Sequence, residues 1–201
     1  MVGLGGISLN YIGWGTSFFD YDNDGRLDLF VVNGSTFPED KDPRHLVPMK
    51  NFLFRQKDPD DGFVEVGAAS GAPFQEAHVG RGAAFADYDN NGDVDVFIVN
   101  QEGRPVLLRN DGGKNNWVKV RVKCVKSNRT GFGTKVQIEA GGRSQAQESG
   151  GQTSYLSQSF QEAHFGLNRE KEVTRLTVTF PSGIVRVKER VPANQVVTVV
   201  E

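Results

Sequence analysis

With 201 residues and 25 acidic against 23 basic side chains, the chain carries a formal net charge of −2, so nothing in its charge balance predicts binding to nucleic acid or an anionic membrane. The hydrophobic share of 37%, including 14 phenylalanines, is enough for real cores, and 24 glycines point to a β-rich chain with many tight turns. No apolar run is long enough to cross a membrane as a helix, and the start, Met1-Val2-Gly3-Leu4-Gly5-Gly6, lacks the basic-then-apolar order of a secretion signal.

Residues 1–14 are glycine-rich and run directly into an acidic loop, so the chain reads as starting inside a larger architecture. The loop is Asp20-Tyr21-Asp22-Asn23-Asp24-Gly25-Arg26-Leu27-Asp28, with acids at positions one, three, five and nine. Left unneutralised, each close pair of carboxylates costs on the order of 1–4 kcal/mol. A hard dication with oxygen ligands removes that cost, and calcium accepts six to eight such ligands in flexible geometry.

Gly15 to Asn33 returns as Gly82 to Asn100 at an offset of 67, with 11 of 19 positions identical. Such self-similarity indicates a repeat architecture. Each copy reads strand, acidic loop, strand, and the apolar residues after the loop occupy both parities. Those strands are therefore expected to be buried on both faces. A further short run follows in each copy, at Asn51 to Arg55 and at Val106 to Arg109. Four short strands per repeat make a propeller-type blade. The first copy carries an insertion, Ser35 to Lys50, read as a surface loop at a binding edge or as a solvated spacer.

Near Gly113 the composition changes. Alternating β runs follow at Trp117–Val122, Gly133–Ala140, Val173–Phe180, Ile184–Val187 and Val196–Val200, with two-residue turn chemistry at Gly141-Gly142. The expected fold is all-β, with about two propeller-type blades over residues 1–112 and an antiparallel sandwich or small barrel over 113–201. Two blades cannot close a ring. A longer parent chain, self-association, or cover from the C-terminal part would protect the open edges. Cys124, the lone cysteine, reads as a small buried hydrophobe.

The loop matches the first half of an EF-hand pattern, yet position twelve is Val31 or Ile98 where an EF-hand needs glutamate. Its last carboxylate comes at position nine, at the start of a strand. The expected calcium ligands are Asp20, Asp22, Asp24 and Asp28 in the first loop and Asp87, Asp89, Asn91 and Asp95 in the second. By analogy with the EF-hand, Arg26 and Asp93 at position seven offer backbone carbonyls. Asn91 replaces an acid, so the first site is expected to bind more tightly. Two bound Ca²⁺ ions would move the charge from −2 to about +2.

These residues resemble the FG-GAP/VCBS calcium-binding propeller repeats. The C-terminal part resembles the ASPIC/UnbV domain through Asn115 to Val120, Ser127-Asn128-Arg129, Gly131-Phe132-Gly133, His164-Phe165-Gly166-Leu167 and Phe180-Pro181-Ser182-Gly183. Asn168 and Phe180 depart from the usual pattern. The pairing of the two is similar to bacterial relatives of cartilage acidic protein. The resemblance implies a non-catalytic, extracytoplasmic calcium-binding module with a protein or glycan partner and no membrane insertion.

No nucleophile elbow, P-loop or His-Glu-x-x-His occurs. His45, His78 and His164 are scattered, Ser154, Ser157 and Ser159 lack an assigned base, and Glu65, Glu76, Glu148 and Glu162 show no pairing. Trp14, Tyr21 and Tyr88 could line a carbohydrate surface, though the tyrosines are expected to pack beside the loops. A structural subunit of a larger assembly is the alternative reading. A carbohydrate-active enzyme fragment ranks below it.

Overall fold

Residues 4–58, 61–151 and 153–201 are described by a computed structural model of the chain. Among these residues every extended element is a β-strand, and helix is confined to single turns at Gly5–Ser8, Gly67–Ser70 and Ala72–Gln75. The first sheet joins β1 (Gly13–Phe19), β2 (Asp28–Asn33), β4 (Phe52–Asp58) and β5 (Gly62–Glu65) in that order, all antiparallel. The second joins β3 (Met49–Lys50), β6 (Ala77–Ala86), β7 (Asp95–Glu102) and β8 (Val106–Leu108). The repeat extends to the third strand of each meander. Leu29 pairs with Phe54 in one sheet, and the equivalent Val96 pairs with Leu108 in the other.

The two sheets share a core of Phe19, Phe30, Val32, Leu53, Ala83, Phe85, Val94, Val96 and Ile98. Phe85 sits 5.2 Å from Phe19 and 5.9 Å from Phe30, the latter edge-on, a favoured aromatic geometry. Burial of β7 corrects the sequence reading. Val96 and Ile98 are buried, but Phe97 and Val99 are 43% and 49% exposed. The two sheets face each other across this core, which leaves the outward side chains of β7 largely toward solvent. On β2 the outward Leu29 and Val31 are half-buried, beside Tyr11, whose ring is 4.5 Å from Phe52. The insertion is also more than a spacer. Its last two residues, Met49–Lys50, supply β3, and Arg81 donates to the Ser35 carbonyl at its root.

The C-terminal strands are β9 (Asn116–Lys123), β10 (Lys135–Ala140), β11 (Arg143–Glu148), β12 (Thr153–Ser154), β13 (Ser157–Gln158), β14 (Ala163–Asn168), β15 (Glu172–Thr179), β16 (Val185–Pro192) and β17 (Gln195–Val200). One sheet runs β11-β10-β15-β16 and another β14-β9-β17. Their core gathers Val118, Val120, Val136, Ile138, Phe165, Leu176, Val178 and Val199. Gly141 and Gly142 both have positive φ, at 55° and 75°, as the tight turn between β10 and β11 requires. One pairing departs from the antiparallel expectation: β17 lies parallel to β9, from Gln195 beside Val118 to Val200 beside Lys123. The chain leaves β16 through Asn194, at φ 59°, and crosses to the other sheet. Cys124 is buried next to Thr134, as a small hydrophobe would be.

The C-terminal part also covers an edge of the sheets. The Thr16 N–H donates to Ser154 Oγ at 2.6 Å, the Phe85 N–H to Ser159 Oγ at 3.2 Å, and the Phe160 N–H to the Phe85 carbonyl at 3.0 Å. Tyr155 packs 4.8 Å from Trp14, over whose ring Arg81 also lies. Ser154 and Ser159 therefore satisfy strand-edge donors that would otherwise be open.

The parallel strand is latched at its end. Glu201 is buried and accepts the N–H groups of Val125, Lys126 and Ser127 together with the hydroxyls of Ser127 and Ser182. Burial pushes its carboxyl up, but these donors outweigh it and hold the group well below the usual glutamate range. A carboxylate depressed in the folded state stabilises above its unfolded pKa, and that stability is lost as pH falls through the folded value. Glu201→Gln should therefore lower the melting temperature at pH 7 and narrow the gap to wild type as pH drops below about 4. Thermal melts of both proteins across pH 2–7 check this.

Candidate functional site

Each acidic loop begins where a strand ends and turns back on itself through two residues of positive φ. Asn23 and Gly25 are at 57° and 86°, and their counterparts Asn90 and Gly92 at 60° and 99°. The turn aims backbone donors inward. The Gly25 N–H donates to Asp20 Oδ2 at 2.8 Å, and the Gly92 N–H to Asp87 Oδ2 at 2.9 Å. At the far end Asp28 accepts from Tyr21 and Gln56, and Asp95 accepts from Tyr88 and Asn110. Gln56 lies within β4 and Asn110 just past β8, so the third strand of each meander locks the ninth position of its loop.

Within this frame Asp20, Asp22 and Asp28 each direct one oxygen into a cluster whose atoms lie within 4.8 Å of one another, and Asp87, Asp89 and Asp95 do the same. Asp24 is turned elsewhere, with Oδ1 accepting the Arg26 N–H and Oδ2 facing Arg26 and Arg55. Arg55 also stands 2.8 Å from Asp22 Oδ2. It reaches the loop from β4, and sequence reasoning did not connect it to the site. Asn91 accepts the Asp93 N–H and donates to the Asn110 carbonyl. The Asp93 side chain accepts from Asn23 Nδ2 at 2.7 Å, which ties the two loops together.

The electrostatics are those of crowded, desolvated carboxylates. Burial pushes Asp20 up to about 8 against the Gly25 N–H, with Asp24, Asp28 and Asp22 adding repulsion. Burial likewise pushes Asp28 up to about 7 and Asp93 up to about 6, and raises Asp22 and Asp95. Asp87 Oδ1 is buried and, among the described residues, has no hydrogen-bond partner. An acceptor left bare in that way, in a set made entirely of oxygens, fits a hard cation.

Both loops are also contact surfaces for the C-terminal part. Asn115 Nδ2 donates to the Asp22 carbonyl at 2.8 Å, and the Asn168 N–H to the Asn23 carbonyl at 2.8 Å. His164, fully buried and lowered to about 4 by that burial, is neutral and places Nε2 2.9 Å from the Gly92 carbonyl. The buried Lys119 ammonium pairs with Asp87. Two glycines mark close approach. A Cβ on Gly92 would strike the Trp117 indole, and one on Gly166 would lie 2.0 Å from Asp20 Oδ2 and 2.5 Å from Asn23 Cα. The other histidines pair at the surface, His45 with Glu102 and His78 with Glu76.

Residues 124–201 match the family model described as ASPIC and UnbV. Over 173 aligned residues, 82% of this chain, the sequence is 28% identical to cartilage acidic protein 1 of Xenopus tropicalis. The chain spans a quarter of that relative's length, 25%. Among the described residues, no helix is long and apolar enough to cross a membrane.

The Gly166 contact yields a direct test. Gly166→Ala must push the first loop off β14, and overpacking of this kind costs about 1–3 kcal/mol. Urea unfolding should show that loss, whereas Gly183→Ser, at an open turn, should cost less despite its positive φ.

Proposed function

We propose that this chain is a non-catalytic, calcium-binding β-repeat module that works outside the cytoplasm and presents its surface to a protein or glycan partner. The observation that carries the reading is the duplicated frame. Two loops with the same turn dihedrals and the same inward N–H donors each gather three carboxylate oxygens within 4.8 Å. Asp20, Asp22 and Asp28 would hold one ion, and Asp87, Asp89 and Asp95 the other. Asp24, Asn91 and the carbonyls of Arg26 and Asp93 would complete the sets. The ion supplies the positive charge that makes ionised, desolvated carboxylates favourable there. Acidic oxygen-ligand loops would be filled by the millimolar calcium found outside cells even if they bind it only weakly, which fits an extracytoplasmic setting. On this reading the two meander sheets are blades of the FG-GAP/VCBS type.

A second reading, a structural subunit of a larger assembly, draws on the outer face of the second sheet. Phe97, Val99 and Leu107 stand exposed there, and apolar side chains in a group commonly mark contact surfaces.

Melting the protein in calcium and in chelator tests the first reading. One site at a hundredfold excess over its dissociation constant adds about 2.7 kcal/mol, so the transition should rise by several degrees. An identical transition in both buffers would remove calcium from the account. Calorimetry on Asp20→Ala and Asp87→Ala should leave the weaker site in the first variant and the tighter site in the second.

A further inference from the structure

The two loops share their frame but face different residues of the C-terminal part. β14 and β9 are paired so that His164 lies beside Lys119 and Gly166 beside Trp117. The first loop meets Gly166, which brings no side chain to Asp20. Asp20 takes the N–H groups of Asp24 and Gly25. The second loop meets Lys119. Its ammonium sits on Asp87 Oδ2, and the two side chains are 2% and 1% exposed. The other oxygen of Asp87, Oδ1, is the buried atom without a partner, and Asp87 stands with Asp89 and Asp95 in the second cluster. One carboxylate thus carries a fixed ammonium on one oxygen and, among the described residues, leaves the other buried without a hydrogen-bond partner.

From this geometry we propose that Lys119 is a built-in cation of the second loop, a residue that sets the calcium affinity of that site and holds the loop in shape before any ion arrives. The inference rests on the calcium reading given above. A buried lysine paired with a buried aspartate is not displaced cheaply, because separating them leaves an uncompensated charge. An arriving dication therefore meets three carboxylates already partly neutralised, and it is repelled by the ammonium through a medium of low dielectric. Among the described residues the first loop has no such occupant on Asp20; its arginine, Arg55, stands on Asp22 and Asp24 and is 43% exposed, so water screens its charge far more than that of the buried Lys119. Lys119 adds to the effect of Asn91. Both act to make the second site the weaker one, one by supplying a positive charge and the other by removing a negative one.

The experiment is a calcium titration by calorimetry on the wild-type chain and on Lys119→Met, which keeps an apolar stem without the charge. Wild type should show a tight and a weak class of site. In Lys119→Met the weak class should tighten at least tenfold while the tight class, the internal control, stays in place. Lys119→Arg, which keeps the charge, should retain the weak class. If wild type binds no calcium in either class, the calcium reading itself falls. If the tight class is present and the weak class is unmoved or weaker in Lys119→Met, the Lys119 proposal alone is overturned. A measurement on wild type stands even if the variant does not fold. In chelator, the Gly92 N–H should exchange with solvent at least tenfold more slowly than the Gly25 N–H. Equal exchange, or a slower Gly25, contradicts a loop held in shape by Lys119.

Discussion

The structure depends on negative charge that has been taken out of water. Each acidic loop places carboxylates close together, and the folding of the two sheets against the C-terminal part buries them further. Burial alone would make these groups hold their protons, as the upward shifts at Asp20 and Asp28 show. The chain answers in two ways. Backbone N–H groups of the loop turn inward. Cationic side chains arrive from elsewhere, Arg55 on the first loop and Lys119 on the second. On the calcium reading proposed above, a divalent ion would supply the positive charge that remains lacking.

The same loops are the joint of the molecule. Asn110 donates to the Tyr21 carbonyl, Asn115 to the Asp22 carbonyl and the Asn168 N–H to the Asn23 carbonyl, while His164 meets the Gly92 carbonyl. Loop shape and domain docking are therefore one problem. Whatever orders the loops also presents their outward carbonyls to β9 and β14.

What could be read from the sequence follows the range of the interactions. The shape of the acidic loops was legible because their carboxylates and turn glycines fall within nine residues and the same pattern returns 67 positions later. The turn at Gly141-Gly142 was legible for the same reason. Burial of β7 was misread because Val, Ile and Phe at both parities look alike whether the second face meets protein or solvent, and only the stacking of sheets decides which. The parallel partner of β17 was hidden too, since alternation specifies a face and not the direction of a neighbour. Lys119 lies in the Asn115 to Val120 run, 32 positions from Asp87, and Gly166 in the His164 to Leu167 motif, and neither segment says which loop it meets. Both matter only through register with a loop far away in the chain.

The most direct measurement is a crystal structure grown with calcium and recorded at a wavelength where calcium scatters anomalously. The account predicts a peak among Asp20, Asp22 and Asp28, with oxygens at about 2.3–2.6 Å, and a second, weaker one among Asp87, Asp89 and Asp95 with Lys119 still on Asp87. Density at neither cluster, with the carboxylates bonded only to water and backbone, would contradict it.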